Sequence, residues 1–213
     1  MGRIFLVRHG ETVWNRAATY AGSTDLDLNE TGIRQAALVA DRLSEQKIGA
    51  VYSSGLTRAR QTAEVIAERF GLTVTQVPEL NELDYGEWEG IPEADVPVRY
   101  QELFEAWRAN PSEVPTPAGE SLAELRDRAY PAFMRIADEN RHQDIVIVAH
   151  KSTNRVLLCC LMEMDINLYR QIGQGNVAIN VLNLRDDGRM IVEQVNESCH
   201  LSPKGLDVEP LSA

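Results

Sequence analysis

Two histidines stand at the ends of short, wholly apolar runs. Ile4–Val7 leads into Arg8 and His9, and Ile145–Ala149 leads into His150. Such runs, bounded by polar residues, are the pattern of buried parallel strands. In an open α/β sheet, ligands bind beyond the carboxyl ends of the strands, so both imidazoles are expected at one sheet edge. A third run, Ala50–Tyr52, passes through Ser53-Ser54-Gly55 to a helical stretch whose first turns carry Arg58 and Arg60. Guanidinium groups grip phosphate through a planar fork, and free N–H groups at a helix start attract anions. Imidazoles beside arginines are equipped to attack a phosphoryl group and to neutralise its developing charge. Zinc fits less well, because adjacent cations oppose a metal and no third ligand stands at a suitable spacing. Each residue has a plainer reading as well: a histidine after a strand often caps it, and a helix arginine often faces solvent. The combination carries the inference, not any single member.

These side chains need elements to hold them. Asn29-Glu30-Thr31-Gly32 precedes apolar residues at Ile33, Ala36, Ala37, Ala40 and Leu43, a helical period. A helix is expected from about Leu56 to Phe70, stopped by Gly71, with a third strand over Leu72–Val77. The stretch from Pro78 to Pro117 holds six of the nine prolines and reads as an irregular lid with a short helix near Tyr100–Ala109. In it Trp88, Phe104 and Trp107 are expected to pack the lid, with an apolar wall over the cleft as the other possibility. A long helix from Ser121 to about Asn140 and another from about Ser152 to Met162 flank the strongest strand, Ile145–Ala149. Val177–Leu184 and Met190–Val195, separated by Asp186-Asp187-Gly188, read as a terminal antiparallel hairpin. Alternating strands and helices define an α/β fold: one domain over 1–213, a mainly parallel sheet with helices on both faces. Residues 78–118 form its small lid insertion and 202–213 a loose tail.

Composition narrows the role. The chain has 213 residues, 44% of them hydrophobic and 25% charged, as in ordinary globular proteins. Acidic residues outnumber basic ones 32 to 21, a net charge of −11 that argues against nucleic acid as a partner. A small anion is still accommodated, since a few arginines reverse the field inside a cleft. Val156–Met162, the longest strongly apolar stretch, is too short to span a bilayer, and the first residues do not read as a signal peptide, so a cytoplasmic protein without membrane association is expected. Cys159, Cys160 and Cys199 lack metal-ligand spacing and read as thiols rather than a disulfide framework. His142 has no partner in sequence and is assigned no role.

The order of segments is familiar. Leu6-Val7-Arg8-His9-Gly10-Glu11-Thr12, with Trp14-Asn15, resembles the signature of the histidine phosphatase superfamily, which includes the cofactor-dependent phosphoglycerate mutases. Asp25–Gly32 is similar to that family's segment before its first helix, and Ser53–Ala63 to its second phosphate-binding motif. Leu80–Gly90 resembles the segment bearing its acid/base carboxylate, Gly119-Glu120-Ser121 the start of its long helix, and Val148-Ala149-His150 the strand end with its second histidine. The resemblance implies that His9 is the nucleophile and becomes phosphohistidine. It implies that Arg8, Arg58 and His150 surround the phosphoryl oxygens, and that Glu82 moves the proton to the leaving group and from water. Asn15 would contact a phosphate oxygen, Gly22 would line the mouth with its backbone amide, and neither metal nor cofactor is required.

Two departures bear on substrate. Where many relatives place a glycine after the second histidine, this chain has Lys151-Ser152, leaving Lys151 either as an added positive charge or as a solvent-facing residue. Glu197–Leu201 resembles the C-terminal segment of the metal-independent phosphoserine phosphatases, which makes His200 a candidate substrate contact. Those enzymes tend to carry a histidine where this chain has Tyr85, which supplies at most one hydrogen bond. Three functions follow: a phosphatase of a small phosphorylated metabolite, a phosphoglycerate mutase, and a catalytically idle relative that binds phosphorylated ligands. The short stretch between Gly90 and Gly119 makes a compact lid that admits water, and every catalytic position is filled, so the phosphatase is expected. The edge of the terminal hairpin makes a homodimer plausible.

Overall fold

The computed structural model describes residues 2–185 and 187–201. Its strands are β1 (Arg3–Arg8), β2 (Ile48–Ser53), β3 (Val74–Gln76), β4 (Asp144–Ala149), β5 (Ile179–Leu184) and β6 (Met190–Glu197). They form one sheet in the order β3-β2-β4-β1-β5-β6. β3, β2, β4 and β1 pair in parallel, β5 is antiparallel to β1, and β6 is antiparallel to β5. The helices are α1 (Val13–Arg16), α2 (Glu30–Leu43), α3 (Thr57–Phe70), α4 (Val96–Arg99), α5 (Gln101–Ala109), α6 (Leu122–Glu139) and α7 (Lys151–Leu161). The fold is the expected α/β architecture, with a sheet between two helical layers and an antiparallel strand pair at its end.

The unbroken apolar runs of β1 and β4 have a simple cause. Successive side chains of a strand point to opposite faces, and here both faces are covered. Ile4 and Leu6 pack with Ile145 and Ile147 against α6 and α7. Phe5 and Val7 pack with Val146 and Val148 against α2 and α3. α6 opens with Ser121 and Glu124 in a reciprocal capping box. It carries Pro131 in its interior, where one backbone hydrogen bond is lost, and its face of Leu125, Ala129, Phe133 and Ile136 seats it on the sheet. α3 ends at Gly71, whose φ of 65° is the left-handed stop read from sequence.

Three details differ from expectation. β3 is three residues long rather than six, because it is a half-exposed sheet edge and Val77 already turns away into a 3-10 turn at Pro78–Leu80. α1 and a 3-10 turn at Ile166–Gln171 have no clear period in sequence and were not foreseen. The segment from 78 to 118 contains α4 and two 3-10 turns besides α5. It has its own apolar cluster, in which Trp88 and Trp107 meet edge to face at 5.0 Å. Among the described residues no helix is long and apolar enough to cross a membrane. The tail at 202–213 and Asp186 of the hairpin turn lie outside the described residues.

Candidate active site

β1 and β4 are neighbours in parallel register, with Arg8 opposite Ala149. The next residue of each strand is a histidine, so the register alone brings His9 and His150 together, ring centres 5.1 Å apart. The His9 amide donates to the Ala149 carbonyl at 3.0 Å. Its ring nitrogen Nδ1 lies 2.7 Å from the Gly10 carbonyl oxygen. A carbonyl only accepts, so Nδ1 carries the proton and Nε2 keeps its lone pair. Gly10 has to be glycine, because a Cβ there would lie 2.6 Å from the Gly32 carbonyl oxygen at the start of α2. The His9 carbonyl accepts from Asn176 Nδ2 at 3.1 Å and from the Val177 amide at 3.3 Å. Val177 holds that position at a φ of 51°, a left-handed conformation that a β-branched residue rarely adopts.

Burial, followed by the nearby charges of Arg58 and Arg8, pushes the His9 pKa well below that of a free imidazole. Burial also lowers that of His150, with Arg58, His9 and Arg8 adding to the effect. Both rings are therefore neutral in the fold at neutral pH. His150 Nε2 and the Ser54 hydroxyl share a 2.7 Å hydrogen bond, while its Nδ1 is buried without a partner. Arg8 is buried and donates from Nη1 to the Gln174 carbonyl at 2.7 Å. Arg58 is fixed by the carbonyls of Gly22 and Thr24, at 2.7 and 2.8 Å. Burial lowers its pKa to about 10, which leaves it charged at neutral pH. The loop that supplies those carbonyls is itself tied down. Glu89 accepts from the amides of Ser23 and Thr24, and Asp25 caps α3 through the amide and hydroxyl of Thr57.

Glu82 comes from the irregular segment, yet it is buried at the start of α7. Its Oε1 accepts from the amides of Leu83 and Thr153, and its Oε2 from the amide of Ser152. His150 gives α7 no side-chain cap, so Glu82 takes that place across the cavity wall. Arg128 of α6 secures the same segment. It donates to the carbonyls of Glu79, Asn81 and Glu82 and forms a two-pronged ion pair with Glu120.

The cavity at this sheet edge has a volume of about 270 Å³. Of the residues singled out in sequence, Arg8, His9, Arg58 and Glu82 line it, as do Asn15, Gly22, Tyr85 and Lys151. Asn15 Oδ1 is taken up by Thr12 and Asn176, which leaves its amide nitrogen for a ligand. The Gly22 carbonyl is committed to Arg58. A Cβ at Gly22 would meet Glu89 Oε1 at 2.0 Å, and its φ of 45° is also one that favours glycine. The Tyr85 hydroxyl is 2.9 Å from Ser152 Oγ. His150 sits beside His9 but is fully buried and is not part of the cavity wall.

His200 is not brought to this cavity: its side chain is 4% exposed, with Nδ1 3.7 Å from a Glu197 carboxylate oxygen. The structure thus does not place His200 in the wall of the candidate site. Arg60 pairs with Glu64 at 2.8 Å and does not line the cavity either. Phe104 and Trp107 reach the wall, while Trp88 stays within the apolar cluster, so the aromatic set divides between the two expected uses.

Among the further residues of the wall that escaped sequence reasoning are Arg108, Arg155, Tyr169 and Arg170. A signal for Arg155 existed, since it follows Lys151 by four positions on one helix and so shares its face. Tyr169 and Arg170 lie on the unforeseen 3-10 turn, and only the path of the chain after α7 delivers them. Among the described residues no group of three or more His, Cys, Asp or Glu side chains is arranged to hold a metal ion.

A sheet edge that presents a neutral imidazole beside two buried guanidinium groups is the architecture of an enzyme acting on phosphate esters. The family model described as histidine phosphatase superfamily (branch 1) matches residues 4–197, and the chain belongs to that superfamily. A metal-independent phosphoserine phosphatase of Arabidopsis thaliana is 34% identical over 213 residues, covering 95% of this chain and 84% of the relative. A protein of Yersinia pestis called probable phosphoglycerate mutase GpmB is 32% identical, covering 97% of this chain and 98% of its own. Among solved structures, phosphoserine phosphatase of Entamoeba histolytica in complex with 3-phosphoglyceric acid superposes with a TM-score of 0.81. It is 28% identical, with 94% of this chain and all of that one covered. This protein is a phosphoric monoester hydrolase of the superfamily.

Proposed function

We propose that the protein hydrolyses a small phosphomonoester without a metal, through a phosphohistidine on His9, and that phosphoserine is the first substrate to test. The observation that carries this is the His9 ring, held by the Gly10 carbonyl with Nε2 unprotonated in a cavity that also contains Arg8, Arg58 and Glu82. In the first step Nε2 attacks phosphorus and the bond to the ester oxygen breaks. Glu82, in its acid form, gives its proton to that oxygen and the alcohol leaves. In the second step water attacks the phosphohistidine, Glu82 takes the water's proton, and the phosphorus–nitrogen bond breaks. Phosphate leaves and His9 is restored. Arg8 and Arg58 offset the charge on the phosphoryl oxygens, a task that metal ions perform in other phosphoryl-transfer enzymes, while the neutral His150 ring, buried beside His9, adds no charge. The names of the Arabidopsis and Entamoeba relatives support both phosphoserine and independence from metal.

The Yersinia relative's name supports a second reading, in which the phosphohistidine returns its group to a phosphoglycerate instead of to water. The deciding assay measures phosphate release in excess EDTA from phosphoserine, 3-phosphoglycerate, sugar phosphates and nucleotides, with phosphoglycerate interconversion followed in parallel. Phosphate release is expected. Fast interconversion with little release means a mutase, and neither activity means a phospho-ligand binder. We place the enzyme in the cytosol, where its unpaired Cys159, Cys160 and Cys199 would stay reduced. We also read it as a homodimer along the outer edge of β6, where Ile191 and Val195 are exposed. A single-chain mass in sedimentation analysis rules the dimer out.

A further inference from the structure

The cavity carries more positive charge than one phosphoryl group needs. Arg155 is only 6% exposed, yet it lines the cavity. Its Nε is fixed on the Ile172 carbonyl at 2.7 Å. Its two terminal nitrogens make no hydrogen bond and no ion pair among the described residues. Arg170 lies over the Trp107 ring at 4.1 Å and over the Tyr169 ring at 4.7 Å, and its Nη2 is buried without a hydrogen-bond partner. The Arg155 guanidinium faces the same Tyr169 ring from 5.9 Å. Stacking on aromatic rings fixes where a guanidinium sits while leaving its N–H edge open.

A buried charge without a counter-ion is costly, and among the described residues no acidic side chain forms an ion pair with either arginine. The two carboxylates of the cavity are Glu82, engaged at the start of α7, and Glu93. Against them stand Arg8, Arg58, Arg108, Lys151, Arg155 and Arg170.

We propose that Arg155 and Arg170, both against the Tyr169 ring, form a subsite for a second anionic group of the substrate, so that the enzyme prefers phosphomonoesters with an additional carboxylate or phosphate. The proposal rests on the phosphatase reading only for its turnover assay. Arg155 supplies the fixed fork from α7, and Arg170 closes on the anion from the stacked position. Lys151, one turn before Arg155, adds charge at the same wall. The cavity volume keeps the two anions within one small molecule.

The test uses substrate pairs that differ only in the distal group: 3-phosphoglycerate against glycerol 3-phosphate, phosphoserine against phosphoethanolamine, and fructose 1,6-bisphosphate against fructose 6-phosphate. The wild-type enzyme should favour the acidic member of at least one pair tenfold or more in kcat/KM. A preference in the first two pairs identifies the second group as a carboxylate, and one confined to the third identifies it as a phosphate. Arg170→Gln and Arg155→Lys should each cut that preference at least fivefold, mainly through KM; the lysine keeps the charge but loses the fork. Arg170 is half-buried, so its variant remains informative if the Arg155 variant folds poorly.

Calorimetric titration of 3-phosphoglycerate and glycerol 3-phosphate into the His9→Ala protein, and into the same protein with Arg170→Gln, reads the subsite without turnover. If no ester is hydrolysed, the phosphatase reading fails while the titration still decides the subsite. Equal affinity for acidic and neutral members, or equal losses on both in the variants, overturns the proposal.

Discussion

His9 is useful only in one tautomer, and a single backbone carbonyl selects it. Removing the ring by His9→Ala should lower kcat by at least about a thousandfold, because nothing else in the cavity forms the covalent intermediate. Near-normal turnover in that variant would rule out the phosphohistidine route. The neutral state of both rings is separately observable: burial holds His9 and His150 below the ordinary imidazole value of 6.5. Their ring proton signals in NMR should stay in the neutral form down to pH 6, and a midpoint at or above 6.5 for either contradicts the buried geometry. Glu82 has a different signature, since the task proposed for it is to protonate the leaving oxygen. Glu82→Gln should slow hydrolysis of an alkyl phosphate by about a hundredfold or more, and that of p-nitrophenyl phosphate far less, because nitrophenolate leaves without a proton. Equal losses on the two esters would remove Glu82 from the acid role.

Among the elements, the one most dependent on tertiary support is the irregular segment that carries Glu82. Arg128 gathers three of its carbonyls and joins them to Glu120 at the start of α6. Arg128→Met should cost about 1–2 kcal/mol in urea unfolding, a modest figure because the ion pair is about a quarter exposed. It should also lower kcat more than it raises KM, since the cavity keeps its cations while the carboxylate loses its support. A variant with unchanged kcat would show that α7 alone positions Glu82. At the other end of the site, Asp25 caps α3 and helps hold the loop whose carbonyls grip Arg58. That loop binds Arg58 through its backbone, so its glycine matters more than its side chains.

At the scale of the whole molecule, the acidic chain and the basic cavity serve different ends. The net charge of −11 favours solubility, whereas the cations at the sheet edge create a local field for anions. Acid should unfold the protein for a reason written into the same site. The pKa values of His9 and His150 are depressed in the fold, chiefly by burial, so below about pH 6.5 the unfolded chain binds protons that the folded chain does not. Stability is therefore full above 6.5 and falls as the pH drops below it, by up to about 1.4 kcal/mol per pH unit for each histidine. Urea midpoints at pH 7.5, 6.5 and 5.5 should show the loss in the lower interval and little in the upper. His150→Asn, which cannot take up a proton, should flatten the slope, and an unchanged slope would assign it to carboxylates.

What the sequence by itself determined is what depends on neighbours along the chain. Apolar runs ending in Arg8-His9 and in His150 specified two buried strands, and the parallel register of β1 and β4 then made the histidines adjacent. Local signals likewise marked the Ser121 cap and the Gly71 stop of their helices. Tertiary structure alone decided which cations besides Arg8 and Arg58 share the cavity. Arg155 comes from the buried face of α7, Arg170 from a 3-10 turn without a period, and both depend on stacking across segments far apart in the chain. The same dependence sets the place of His200: its position after β6 is evident in sequence, but the burial of its ring beside Glu197 is not. Hydrophobic periodicity reports which face of an element is buried, and it says nothing of what that face will meet.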